Sequence, residues 1–151
     1  VGDLGTVPVV QPPPPPVTDT PTPTFTPTYT PTTETPDATP PTVISATFNP
    51  TQIMKEGPGC PGYSRTTVST VRAQDNAAVA SVSASWVLRD TSNAIVTTGS
   101  VNYNPSGGDS YQATFGPFPS DGTLSLNGTV MDTSGNSTPF SQQITVLACI
   151  G

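Results

Sequence analysis

The stretch Ser81-Val82-Ser83-Ala84-Ser85-Trp86-Val87-Leu88 alternates small polar residues with apolar ones. Successive side chains of a β-strand point to opposite faces, so Val82, Trp86 and Leu88 would share one face. No stretch of useful length with the period of a helix competes with this pattern. The stretch therefore predicts a half-buried strand and favours an all-β protein.

The same period of two recurs on both sides of this stretch. Clusters of Gly, Pro, Ser, Asn and Asp, such as residues 104–108 and 119–122, separate the alternating segments. Seven short antiparallel strands in about 100 residues predict a seven-stranded Greek-key immunoglobulin-like sandwich. The six further predicted strands are residues 43–48, 66–73, 94–103, 110–115, 123–130 and 140–148.

Large aromatic side chains fall either on the inward face of these strands or in loops. Trp86, Tyr111 and Phe115 share the inward face, and a domain of this size has few other large groups to fill its interior. We therefore expect these three in the core. Tyr63 and Phe118 lie in predicted loops and are the plausible surface aromatics.

Two segments carry a resemblance to bacterial immunoglobulin-like extracellular domains. Residues 70–75 (TVRAQD) and 129–136 (TVMDTSGN) look like the strand ends of that family, and the second closes with D-x-x-G-N. Residues 78–82 match its V-x-x-V segment, which leads into a strand with a core aromatic. The resemblance covers about residues 43–149 and implies the fold. It does not indicate an activity, because the family includes adhesin modules, enzyme appendages and receptor ectodomains. Residues 49–65 lie outside the pattern.

Residues 12–42 form a stalk, with 12 prolines and 12 threonines in 31 positions. Proline fixes φ and lacks an amide donor, so this segment forms neither helix nor sheet and spans roughly 100 Å when extended. The predicted organisation is an N-terminal segment at 1–11, the stalk at 12–42 and the sandwich at 43–151. Attached O-glycans or an unmodified spacer both fit the stalk. The candidate glycan acceptors are Thr22, Thr24, Thr26, Thr28, Thr30 and Thr32.

The first ten residues are apolar and lie far from the sandwich in sequence. They fit a strand that docks onto another copy of the chain, or a frayed terminus or the end of a preceding domain. Pro8 allows only edge-type pairing near it. The chain begins at Val1 without methionine, so we expect either a secreted protein after signal removal or a fragment. The docking candidates are Leu4, Val7, Val9 and Val10.

Charge and composition exclude several classes of function. Only 9% of residues are charged, and 4 Lys and Arg face 10 Asp and Glu, for a net charge of -6. A nucleic-acid partner needs a clustered basic surface, and an anionic membrane surface would repel the chain. No apolar stretch is long enough for a transmembrane span. Without histidine the usual catalytic triads cannot be assembled, so we expect no enzyme and no cofactor.

The two cysteines, Cys60 and Cys149, lie near the start and the end of the predicted sandwich. An even pair in a chain of this composition predicts one disulfide, and the alternative is two buried free thiols. A disulfide would indicate an oxidising, extracellular compartment.

Asp75, Asn76, Asp132 and Asn136 place hard oxygen ligands near predicted loop ends. Calcium needs six to eight oxygens, usually with several carboxylates. Two aspartates supply too few, so the sequence favours turn-capping roles. Asp75, Asp132 and Asn136 remain weak calcium candidates, and no metal site is predicted.

Together these features predict a non-enzymatic extracellular structural protein at the cell surface, a subunit of a bacterial filament or fimbrium-like fibre. The expected partners are identical subunits docked through the N-terminal segment. A monomeric stalked adhesion or ligand-binding ectodomain is the first alternative. A carbohydrate-binding module that stacks sugars on Tyr63 or Phe118 is the second.

Overall fold

The structure, a computed structural model, describes residues 2, 5, 9–27, 34–58 and 62–149. The chain divides into two compact units, Val1–Glu34 and Thr35–Gly151. Described residues of the first unit have no regular secondary structure and are exposed. Among them Val9 is 94% exposed and Phe25 is 90% exposed, so neither side chain is buried in a core.

The second unit is an all-β sandwich, which confirms the predicted fold class. Its described residues contain nine strands rather than the predicted seven. The strands are β1 (Thr42–Asn49), β2 (Gln52–Met54), β3 (Thr67–Gln74), β4 (Val79–Arg89), β5 (Ile95–Asn102), β6 (Asn104–Gly107), β7 (Ser110–Phe115), β8 (Gly122–Asp132) and β9 (Ser137–Leu147).

The strands form a four-stranded sheet, β1-β3-β7-β6, and a five-stranded sheet, β2-β9-β8-β4-β5. The pairings are antiparallel except for β2, which runs parallel to β9 in the register Gln52 to Thr145. The prediction of a wholly antiparallel, seven-stranded arrangement is therefore wrong in its details.

The two unpredicted strands lack an alternating pattern. β2 is three residues long, and its adjacent apolar residues Ile53 and Met54 are both buried. β6 contains Pro105 and Gly107 and resembles a turn in sequence, but it forms a short exposed edge beside β7. Proline is tolerated there because an edge strand can leave an amide position unpaired.

The core lies between the two sheets, on the faces that the alternation predicts. Phe115 is 3% exposed, and Trp86 and Tyr111 are half-buried against the core, as expected. Phe118 was predicted on the surface and is 3% exposed, so that prediction is wrong. Its ring packs edge-on against Trp86 at 5.5 Å between centroids, which buries a loop residue in the sandwich.

A buried chain of hydrogen bonds crosses the core. The Tyr103 hydroxyl donates to Ser69 Oγ at 2.8 Å, and Ser69 Oγ donates to Gln142 Oε1 at 2.6 Å. Burial raises the pKa of Tyr103, so its hydroxyl stays protonated as a donor at neutral pH. These hydrogen bonds join β3 to β9 and therefore link the two sheets.

Gly128 in β8 generates a testable prediction about packing. A Cβ at this position would overlap the ring of Phe140. Phe140 is a buried residue, only 8% exposed. We expect Gly128→Ala to lower the free energy of unfolding by about 1–3 kcal/mol, measured by urea denaturation, because the ring must move within a packed core. Asn127→Ala, at the exposed neighbouring position, is the control and should change it by less than about 0.5 kcal/mol. Equal effects of the two substitutions would contradict this packing.

Candidate cation site

Two loops of the five-stranded sheet begin with the same three residues. Asp90-Thr91-Ser92 follows β4, and Asp132-Thr133-Ser134 begins at the last residue of β8. Asp90 Oδ1 accepts hydrogen bonds from the backbone amides two and four residues later, at 2.9 and 3.0 Å. Asp132 Oδ1 accepts the equivalent pair at 2.8 and 2.8 Å. Both aspartates therefore cap a turn, which is the role that the sequence favours for Asp132.

The Asp132 loop differs from the Asp90 loop in what surrounds it. Asp37, ahead of β1, and Asp75, directly after β3, each bring a carboxylate to Asp132. One oxygen from each of the three carboxylates lies within 4.8 Å of the others. Asp132 is only 2% exposed, and its two neighbours are half-buried. We call these three residues the aspartate cluster.

Hydrogen bonds hold Asp37 in the aspartate cluster. The Asn136 side-chain amide donates to the Asp37 carbonyl at 2.9 Å and to Asp132 Oδ2 at 2.8 Å. The Asn76 side-chain amide donates to Asp37 Oδ1 at 3.0 Å. The Thr138 hydroxyl donates a hydrogen bond to the Pro41 carbonyl, which holds the next part of the chain. The segment between Asp37 and β1 is therefore bound to the sandwich at several points.

Two oxygens of the aspartate cluster have no hydrogen-bond partner among the described residues. They are Asp37 Oδ2 and Asp75 Oδ1, and each exposes less than 1 Å² to solvent. The other oxygen of Asp75 accepts a bond from the Ala77 amide at 2.9 Å. A buried acceptor without a partner loses its hydration without compensation, which is unfavourable by about 1–3 kcal/mol or more. Turn capping accounts for Asp132 but leaves these two oxygens unexplained.

No basic side chain neutralises the aspartate cluster. The chain has four Lys and Arg residues, and all of them lie in the described part. Arg72 pairs with Asp109 at 3.2 Å and Lys55 with Asp121 at 3.7 Å. Arg65 and Arg89 donate to backbone carbonyls of other loops. The three carboxylates therefore face one another without a Lys or Arg partner.

Asp132 is ionised at neutral pH in spite of its position. Burial acts to raise the pKa of this carboxyl, but hydrogen bonds from Asn136 and from the loop amides outweigh it. The net effect holds the pKa of Asp132 below its ordinary value. A buried, ionised carboxylate beside two further aspartates has the chemistry of a hard-cation ligand set.

The structure brings together the weak calcium candidates Asp75, Asp132 and Asn136, although Asn136 contributes through its donated hydrogen bonds. Asp37 was missed because it lies in residues 12–42, which were predicted to be stalk. The T-P-D-A-T-P-P run around it resembles the stalk in composition. Only its contacts with distant loops distinguish it.

The other predicted sites have separate outcomes. Tyr63 is 57% exposed, whereas the burial of Phe118 removes it as a sugar-stacking residue. The described docking candidates Val9 and Val10 and the described glycan candidates Thr22, Thr24 and Thr26 are exposed. The remaining candidates, Leu4, Val7, Thr28, Thr30, Thr32 and Cys60, lie outside the described residues.

Comparisons with known proteins do not assign the chain to a family. No protein-family profile and no curated protein matches the chain. Among solved structures the chain is similar to CopC from Methylosinus trichosporium OB3b, at 13% identity and a TM-score of 0.40, over 74% of this chain and 97% of that one. Within the described ranges, no helix has the length and apolar character needed to cross a membrane.

The predicted pairing of Cys60 with Cys149 can be tested directly. Among the described residues no cysteine is free, and we expect a single peptide pair linked through these two residues. Alkylation without reductant followed by peptide mass spectrometry should find neither thiol modified, and reduction should expose both. Alkylation of both cysteines in the unreduced, denatured chain would contradict the prediction.

Proposed function

We propose that the chain is a non-enzymatic extracellular structural protein, with an immunoglobulin-like sandwich on a Pro/Thr stalk, that assembles into a bacterial surface filament. The observation that supports this most is the free edge of β5. Among the described residues this strand is the outer member of the five-stranded sheet and pairs with β4 alone.

The β5 edge lacks the usual protection against pairing with another chain. Its eight residues, IVTTGSVN, include no charge and no proline, and Ile95 and Val96 are 57% and 37% exposed. Sheet edges are normally blocked by charges, prolines or shortness. β6 at the edge of the other sheet has four residues and carries Pro105. The β5 edge is therefore suited to accept an added strand.

The N-terminal segment of a second copy is the proposed occupant of this edge. Val9 and Val10 are 94% and 85% exposed, so their apolar surface is free to bind elsewhere. Strand addition gains main-chain hydrogen bonds and buries alternate side chains. A stalk that reaches roughly 100 Å when extended lets the segment bind to a neighbouring subunit.

The surroundings of β5 also favour binding over catalysis. A groove of about 380 Å³ beside this strand is lined by residues that include Trp86, Thr97 and Phe118. None of its lining residues is ionisable, so it offers neither a general base nor a general acid. The groove can enlarge a contact made at the β5 edge.

A monomeric stalked ectodomain is the alternative, and particle size separates the two. We expect the full chain to form rods in electron micrographs and to elute far above 15.5 kDa. Deletion of residues 1–10 should leave a folded monomer, and so should Val96→Lys, which places a charge at the β5 edge.

The control is Ile44→Lys on β1, an edge strand of the other sheet where Ile44 is 45% exposed. This variant should still assemble. Polymers that survive the deletion would refute strand docking, and a monomeric full chain would favour the stalked ectodomain.

A further inference from the structure

We propose that the aspartate cluster of Asp37, Asp75 and Asp132 binds one calcium ion. The site lies where the chain leaves residue 37 and enters β1, at the loops that follow β3 and β8. It is separate from the β5 edge and does not depend on assembly.

The spacing of the carboxylates fits one calcium ion. Calcium binds oxygens at about 2.3–2.6 Å, so two oxygens on opposite sides of the ion lie about 4.6–5.2 Å apart. The three carboxylate oxygens of the aspartate cluster lie within 4.8 Å of one another, so all three can contact one ion. Water and further carboxylate oxygens can complete the six to eight ligands that calcium takes.

The two unpartnered oxygens point independently to a missing ligand. Asp37 Oδ2 and Asp75 Oδ1 are buried and accept no hydrogen bond from described residues. In an electrically unbalanced group of three carboxylates, a cation satisfies both oxygens and offsets the mutual repulsion.

The Asp90 loop provides an internal comparison. It has the same D-T-S start, the same pair of accepted amide bonds and a closing backbone bond of 2.9 Å, as in the Asp132 loop. Asp90 does not belong to any group of three described residues that could hold a metal. The loop conformation alone therefore does not make a metal site, and the neighbours Asp37 and Asp75 do.

Calcium at this site would fasten the segment before β1 to the sandwich. Asp37 is the third residue of the second unit, which begins at Thr35. Its carbonyl and one carboxylate oxygen are already held by Asn136 and Asn76. A bound ion would add a link from the same residue to Asp75 and Asp132. Calcium would thus fix the point at which the stalk joins the domain.

Titration of the full chain with calcium, after stripping with EDTA, tests the proposal. We expect one ion per chain by calorimetry, with a dissociation constant below about 10⁻³ M, as in extracellular calcium modules. The melting temperature should rise with calcium, because the folded state binds the ion and the unfolded state does not. Magnesium should bind at least tenfold more weakly, since it dehydrates reluctantly and demands shorter bonds.

Three substitutions separate a cation site from a structural role. Asp37→Asn and Asp75→Asn should each weaken calcium binding at least tenfold and abolish the rise in melting temperature. Their melting temperatures in EDTA should equal or exceed that of the parent, because each removes charge from a crowded group. Asp90→Asn, the matched turn aspartate, should bind calcium like the parent.

Several results would overturn the assignment. They are no calcium response in the parent chain, a full response in the Asp37→Asn/Asp75→Asn double variant, or equal affinities for magnesium and calcium. The variant that lacks residues 1–10 should bind calcium like the parent chain. Failure of the filament proposal and failure of the calcium proposal are therefore distinguishable.

Discussion

The side chain of Asn136 makes the contact on which the aspartate cluster depends. Its amide group donates to both Asp132 and the Asp37 carbonyl, so it joins the loop after β8 to the chain that enters β1. That link places the Asp37 carboxylate against Asp132, and the end of β3 adds Asp75. The charge that accumulates there follows from a hydrogen bond between two segments that are remote in sequence.

The sandwich itself is held by different interactions. Alternating apolar residues of β4 and β8 face the core, and the buried bonds from Tyr103 through Ser69 to Gln142 join the two sheets. None of these groups contacts the aspartate cluster in the hydrogen bonds described. The core can therefore specify the fold without using the aspartate cluster or the β5 edge. The filament proposal and the calcium proposal both place function on such peripheral features.

Sequence reasoning succeeded where one local pattern decides the structure. The alternation in 81–88 and 123–130 predicts β4 and β8, because a half-buried strand needs a period of two. It failed for β2 and β6, where three or four residues are too few to show a period. Phe118 and Asp37 were misjudged for a related reason: each lies among prolines or turn residues, and only tertiary contacts with Trp86 or Asn136 reveal its role.

Anomalous diffraction from crystals of the full chain soaked in terbium, a calcium substitute, tests the cation site most directly. The account predicts one strong peak bounded by the carboxylates of Asp37, Asp75 and Asp132, with bonds of about 2.3–2.6 Å to their oxygens. A map without density at that position, or with its strongest peak beside other aspartates, such as the ion-paired Asp109 or Asp121, would contradict it.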